Sequence, residues 1–342
     1  MDPSSAPADS TNRLLSPGRP TLKDVARVAG VGAGTVSRVL NDQKKVSADS
    51  RARVLAAIEE LAYRPDAAAG ALRRGTTGSI GLLVEDVADP FYSQLNATIE
   101  EELIPHGLTL LTASSARSPE RAMRALRDLV SRRVDALIVT LPEDTDEAFL
   151  ARERAAGTAV VFVDRPPSTL DADAIVTDNR GGAARAVEHL ISRGHSRIAL
   201  INDRAGMYTA DERRAGWEQA HAAAGIGTDP RLVLSGPPDG PTIERSLRSM
   251  LALEEPPTAV FSGNNRIAVS VLRAMRSLGV QLDHVGFDDL ELADLLDPPL
   301  TIVAQDPHAM GRAAVARAME RMAGETGPAI ELMLEPRLVV RS

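Results

Sequence analysis

Cysteine is absent from the 342 residues, which excludes a disulfide framework, a thiol nucleophile and any cysteine-based zinc site, and agrees with a reducing cytosol. Long apolar runs are missing too. The longest are the size of a β-strand and no signal-peptide core is present, so a cytoplasmic location without a membrane span is expected. The chain carries no Walker loop, no Gly-x-Ser-x-Gly elbow and no His-Glu-x-x-His, and its six histidines (His106, His189, His195, His221, His284 and His308) show no metal-ligand spacing. Asp288 beside Asp289 lacks the phosphate-binding glycines that a Mg²⁺ site of that kind needs. No catalytic residue, cofactor or metal is expected.

A net charge of −8 argues at first sight against a nucleic-acid partner. Its distribution reverses that reading. Residues 13 to 74 carry twelve Lys or Arg against six Asp or Glu, a net of +6, whereas residues 75 to 342 carry 27 against 39, a net of −12. A small basic module on a large acidic body supplies phosphate attraction in one place and solubility in the other. At 44% hydrophobic residues the chain can bury sizeable cores, and its length allows two or three domains. Residues 1–18, rich in Ser, Pro, Ala and Asp without periodicity, are expected to form a disordered leader.

At Thr21 the pattern changes. Leu22, Val25, Ala26 and Ala29 recur at the spacing of one helix face, with Thr21 as N-cap and Asp24 three positions on. Gly30 breaks the run, Val31 plugs the corner, and a second short helix turns Val36, Val39 and Leu40 inward while Ala33, Gly34, Ser37 and Arg38 face out. A third helix, capped by Ser47, is expected to close the core with Val54, Leu55, Ile58 and Leu61. Helix, glycine turn, helix is the layout whose second helix enters a DNA major groove. Arg38 carries a fork of donors that matches O6 and N7 of guanine. Arg51 and Arg53 read equally well as phosphate contacts or as a solvated face.

This stretch resembles the lac-repressor (LacI/GalR) family of bacterial transcription regulators, whose opening reads T-[IL]-x-D-V-A-x-x-A-G-V-S-x-x-T-V-S-R-V-L-N. Thr21, Asp24, Val25, Ala26, Ala29, Gly30, Val31, Thr35, Val36, Ser37, Arg38, Val39, Leu40 and Asn41 match. Gly32 departs from a serine that caps the recognition helix, a loss of a few tenths of a kcal/mol. The resemblance implies DNA contacts by Thr21, Ala33, Gly34, Thr35, Ser37, Arg38 and Asn41. It continues into Tyr63, Pro65, Ala69 and Leu72, which match a hinge helix whose leucine enters the minor groove and kinks the duplex. Gly70 weakens that helix by roughly 1 kcal/mol against alanine. The expected organisation is a helix-turn-helix domain over 19–63, a hinge over 64–77 and an α/β body over 78–342.

From Ser79 onward, strand-sized apolar runs alternate with helical patterns, the mark of parallel sheets with helices on both faces. Strands are expected at Ile80–Val84, Thr109–Leu111, Ala136–Val139, Ala159–Val163, Ile198–Ile201, Leu232–Leu234, Ala259–Phe261 and His284–Phe287. These are too many for one open sheet and the run restarts near Asp178, so two lobes with a cleft between them follow. The family resemblance, carried by Asp89-Pro90-Phe91, Asp164-Arg165-Pro166, Asp178-Asn179, Gly194-His195, Gly216-Trp217, Gly286-Phe287-Asp288-Asp289 and Pro298-Pro299-Leu300-Thr301, implies a fold like the periplasmic sugar-binding proteins. Lobe 1 is expected at about 78–176 and 305–327, and lobe 2 at about 177–304 and 328–342.

Ligands of such sheets bind outside the carboxyl ends of the strands. The candidates there are Asp86, Asp89, Asp164, Arg165, Asn264, Asn265 and Asp288, with Phe91 and Tyr92 as an apolar face; helix capping is the alternative for each polar residue. Family carry-over puts Asp164, Asn264 and Asp288 on effector hydroxyls. It also places an arginine shortly before the Gly-Trp pair, and counting back arrives at Asp211, which implies an effector rich in donors rather than an anion. Trp217 is expected in the core and His195 at a helix end. The function implied is a homodimeric repressor that reads a palindromic operator in double-stranded DNA under control of a small sugar-like effector. A solute receptor, or an enzyme acting on a sugar-like ligand, remains the alternative.

Overall fold

The computed structural model describes residues 20–40, 45–63, 77–236 and 239–341. They belong to two compact units, one ending at Thr77 and one beginning at Gly78.

The first unit contains α1 (Leu22–Val28), α2 (Ala33–Leu40) and α3 (Ala48–Glu60). Its entry is capped reciprocally: the Asp24 amide donates to Thr21 Oγ1 at 3.3 Å and the Thr21 amide donates to Asp24 Oδ2 at 2.9 Å, satisfying two donors that a helix start leaves free. Gly30 turns the chain at φ +62°, in the left-handed region where a side chain is strained. Val25, Val36, Val54 and Ala57 form the core. Leu55, expected among them, is 53% exposed. Val54, Ala57 and Ile58 already occupy the inward stripe of α3, and Leu55 lies about 100° around the helix from Val54. Asn41 and residues 64–76, Leu72 included, lie outside the described residues.

In the body, one lobe runs β1 (Ser79–Val84), α4 (Pro90–Leu103), β2 (Thr109–Ser114), α5 (Pro119–Ser131), β3 (Ala136–Val139), α6 (Ala148–Ala155), β4 (Ala159–Val163) and β5 (Asp173–Thr177). The second runs α7 (Asn179–Ser192), β6 (Ile198–Asn202), α8 (Tyr208–Ala223), β7 (Val233–Ser235), α9 (Gly240–Leu251), β8 (Ala259–Ser262), α10 (Asn265–Leu278), β9 (Asp283–Phe287) and β10 (Thr301–Ala304). The chain then forms α11 (Pro307–Met322), β11 (Glu331–Leu334) and β12 (Arg337–Val339). Two six-stranded sheets result, ordered β11-β5-β4-β3-β1-β2 and β12-β10-β9-β8-β6-β7. In the first, Leu82, Ile138 and Val161 pack under α4 and α11 while Leu83, Leu137 and Val160 pack under α5. Both faces are covered, which is why these strands read as unbroken apolar runs.

The final crossing between lobes differs from expectation. Residues 328 onward were assigned to lobe 2, yet β11 pairs in parallel with β5, Glu331 opposite Ala174, inside the first sheet. Only β12, antiparallel to β10, belongs to the second sheet. The crossing therefore falls at Glu335 and Pro336. Short edge strands carry little periodicity, and partner choice rests on a pairing more than 150 residues away in sequence. Strands β5 and β10 are not in the expected set, although they are as long as β4 and β3.

Candidate effector cleft and DNA-binding helix

Polar residues gather where the strands of the two lobes end. Asp164 follows β4, is buried, and accepts a hydrogen bond from the Tyr92 hydroxyl at 2.8 Å. Burial pushes its pKa up, against the pull of Arg165 and Arg213. Asp288 follows β9; its Oδ1 accepts from Gln305 at 2.6 Å and its Oδ2 lies 3.8 Å from Arg213 Nη1. Burial raises the Asp288 carboxyl to about 6, with Arg213 and Gln305 opposing. Gln305 also accepts from Thr177 Oγ1, tying together the two stretches that cross between lobes after β5 and β10.

Arg213 is the cationic centre of the cleft. Its Nε donates to Asn179 Oδ1 at 2.8 Å, its Nη1 donates to the Gly263 carbonyl, and its guanidinium sits 3.9 Å over the Phe287 ring. The side chain is held on three sides beside Asp288, a preorganised donor for an oxygen-rich ligand. Asp211, expected to occupy this place, does not. It is exposed, and its carboxylate accepts the Gly206 amide at 3.1 and 3.2 Å. Helix geometry explains the difference: Ala210, Arg213, Trp217 and Ala220 share the inward stripe of α8, and Asp211 is rotated away from it. That periodicity was the available signal for Arg213.

The other candidates divide. Arg165 lines the cleft but is committed: Nη1 donates to the Leu141 carbonyl and to Glu143 Oε1, each at 3.2 Å, and Nη2 donates to Glu85. Asn264 caps α10 by accepting the Ile267 amide at 2.9 Å and donates to Asp203 at 3.3 Å. Asp89 caps α4 through the Phe91 amide at 3.0 Å and accepts from Asn265 of the opposite lobe at 3.1 Å. Phe91 belongs to the lobe 1 core and meets Tyr92 edge-on at 5.1 Å. Trp217 is core, with Nε1 donating to the Ile198 carbonyl at 3.2 Å. His195 closes the end of α7, its amide donating to the Leu190 carbonyl at 3.2 Å, while its ring bridges Thr258 and Asp283, each at 2.9 Å.

Ion pairs span the rim between the lobes. Arg117 reaches Asp203 at 3.4 Å, Arg204 reaches Glu143 at 2.6 Å and Arg266 reaches Asp86 at 2.8 Å. Glu85, Arg117, Glu143 and Asp203 were not singled out from sequence, because each becomes notable only through a partner far away in the chain.

In the first unit, Ala33, Gly34 and Arg38 are exposed on α2, Thr35 and Ser37 are half-buried, and Val36 and Val39 face the core. Gly32 accepts the Thr35 amide at its carbonyl at 2.8 Å and offers no side-chain cap. Arg53 pairs with Asp49 at 3.3 Å, the behaviour of a solvated face.

Comparison with known proteins decides the identity. The profile described as bacterial regulatory proteins, lacI family, matches residues 21–66, and that of periplasmic binding proteins and sugar binding domain of LacI family matches residues 77–331. The chain belongs to the LacI family. The HTH-type transcriptional repressor PurR of Aliivibrio fischeri (strain MJ11) is 31% identical over 328 residues, 94% of this chain and 97% of that protein. The ribose operon repressor of Escherichia coli (strain K12) is 33% identical over 325 residues, 94% of this chain and 98% of that protein. Among solved structures, the lac repressor dimer bound to operator and the anti-inducer ONPF superimposes with a TM-score of 0.83 at 29% identity, covering 95% of this chain and 98% of that one. The CelR–cellobiose complex gives 0.71 at 32% identity, covering 94% and 99%. As a LacI-family member the chain is a DNA-binding transcriptional repressor with a ligand-binding effector body. No helix among the described residues is long and apolar enough to cross a membrane.

Proposed function

We propose that this repressor acts in the cytoplasm as a homodimer on a palindromic operator, and that its affinity for DNA is set by a small, hydroxyl-rich, sugar-like effector held between the lobes. One observation carries the reading: Asp164 of lobe 1 and Asp288, Arg213 and Gln305 of lobe 2 and its crossing segment surround one cleft with acceptors and donors suited to vicinal hydroxyls. Relatives whose names refer to ribose and cellobiose support the same chemistry. Asp164 and Asp288 accept from effector hydroxyls and Arg213 donates to effector oxygens, while Asn264, Asp89 and Arg165 position the loops around them. At the DNA, Arg38 reads a guanine, Ala33 offers a methyl contact, Thr21, Thr35 and Ser37 approach phosphate, and Gly34 allows close approach of the helix. The decisive experiment is fluorescence anisotropy on an operator selected from random DNA, repeated with a panel of neutral pentoses, hexoses and disaccharides. A neutral sugar that shifts operator affinity in wild type and not in Arg213→Ala supports the reading. An operator affinity unmoved by the whole panel overturns it.

A further inference from the structure

The cleft wall behind Asp164 is a closed circuit of alternating charge. Arg204 pairs with Glu143 at 2.6 Å, Glu143 with Arg165 at 3.2 Å, Arg165 with Glu85, Glu85 with Arg117 at 2.7 Å, and Arg117 with Asp203 at 3.4 Å. Asp203 and Arg204 are neighbours in the chain, so the ring closes. Glu85 is its pivot: it is 5% exposed and takes both of its guanidinium partners from lobe 1. Burial works to raise its pKa, but the Arg165 and Arg117 charges outweigh that and hold it below the usual carboxylate range. The Arg165 Nε, buried and without a hydrogen-bond partner, lies 3.6 Å from Asp164 Oδ2.

We propose that Glu85 is a specificity-determining residue that makes this cleft reject anionic effectors, including phosphorylated and carboxylated sugars. The proposal deepens the sugar-like reading above and rests on it. Two arginines beside a ligand cleft would ordinarily recruit phosphate or carboxylate, because guanidinium forks match those groups and strengthen in a low-dielectric site. Here the donors that face inward are already spent on Glu85 and Glu143. An entering anion meets a wall whose charge is balanced, and Arg213, the remaining cation of the cleft, already faces Asp288 at 3.8 Å, so its desolvation is poorly offset. A neutral hydroxyl loses less on leaving water and needs no counter-charge. The carboxylate thus turns a ready anion site into a site for uncharged ligand.

The test uses the full-length protein and inorganic phosphate as probe, with chloride at matched ionic strength as reference, read by thermal shift and calorimetry. Wild type and Glu85→Asp, which keeps the charge, should show no phosphate-specific stabilisation. Glu85→Gln keeps the shape, leaves Arg117 and Arg165 under-compensated, and should bind phosphate about tenfold tighter or more. The double variant Glu85→Gln/Arg117→Gln restores the balance and should return to wild-type behaviour. If Glu85→Gln does not fold by circular dichroism, Glu143→Gln, which removes the other carboxylate from Arg165 nearer the rim, should gain phosphate binding in its place. Phosphate binding by wild type as tight as by the variant, or a folded glutamine variant without any gain, overturns the proposal. Neither result depends on the neutral-sugar panel, so the two readings fail separately.

Discussion

Asp164 and Asp288 are counterparts in the two lobes. Each directly follows its strand, each holds a left-handed backbone, φ 68° and 66°, and each donates its amide to the neighbouring strand, to the Ile175 carbonyl at 3.0 Å and the Val303 carbonyl at 2.9 Å. A non-glycine residue in this conformation carries strain of about 1 kcal/mol or more, which aspartate tolerates better than most. The strained turn lifts each carboxylate out of the sheet into the cleft.

On the proposed reading, the Asp288 carboxyl should link effector binding to a proton. Burial raises its pKa to about 6, while Arg213, Gln305, Asp89 and Asp164 surround it. The folded state holds this proton more tightly than the unfolded chain, so the group's contribution to stability is full below the ordinary carboxylate range and is lost as pH rises through about 6. Effector hydroxyls that donate to Asp288 bind its ionised form more strongly, so binding near that pH should release protons. Calorimetry in two buffers of different ionisation enthalpy should give buffer-dependent heats for wild type and buffer-independent heats for Asp288→Asn.

Arg213 and Asp211 should separate cleanly. Truncating Arg213 to alanine removes a buried donor and strands Asp288, so effector affinity should fall by about 2 to 5 kcal/mol. Asp211→Ala should leave affinity within about 0.5 kcal/mol of wild type, because the side chain only holds an exposed turn. An effect of Asp211 comparable to that of Arg213 would mean that the α8 stripe has been assigned wrongly.

Gly216 is required by helix packing rather than by backbone conformation. A Cβ built there lies 2.2 Å from the Arg180 carbonyl and 2.8 Å from Ala183 Cβ, at the crossing of α7 and α8. Gly216→Ala should therefore cost about 1 to 3 kcal/mol through forced separation of the helices. Urea unfolding followed by Trp217 fluorescence reports it at the site itself, and an unchanged midpoint would contradict the close approach.

Arg38 should read one position in each half-site. Arg38→Ala is expected to cost about 1 to 3 kcal/mol and to relax preference at that base alone, with two half-sites about one helical turn apart in the footprint. Uniform weakening across all sequences would make Arg38 a phosphate contact instead.

The headpiece was legible in the sequence because its determinants are local: a reciprocal Thr21–Asp24 cap, a left-handed Gly30 and apolar residues three and four apart decide the helices within a few residues of one another. The alternation of strands and helices in the body was legible for the same reason, as was the placement of Asp164 and Asp288 at strand ends. Tertiary structure decided the rest. Whether β11 joins the first or second sheet depends on a partner strand far earlier in the chain, and four residues of edge strand carry too little pattern to select it. The pairing of Arg165 with Glu85, 80 positions away, is not written in the sequence around either residue. A hydrogen-bonded ion pair of this kind forms only at contact distance in space, and spacing along the chain does not record which residues meet.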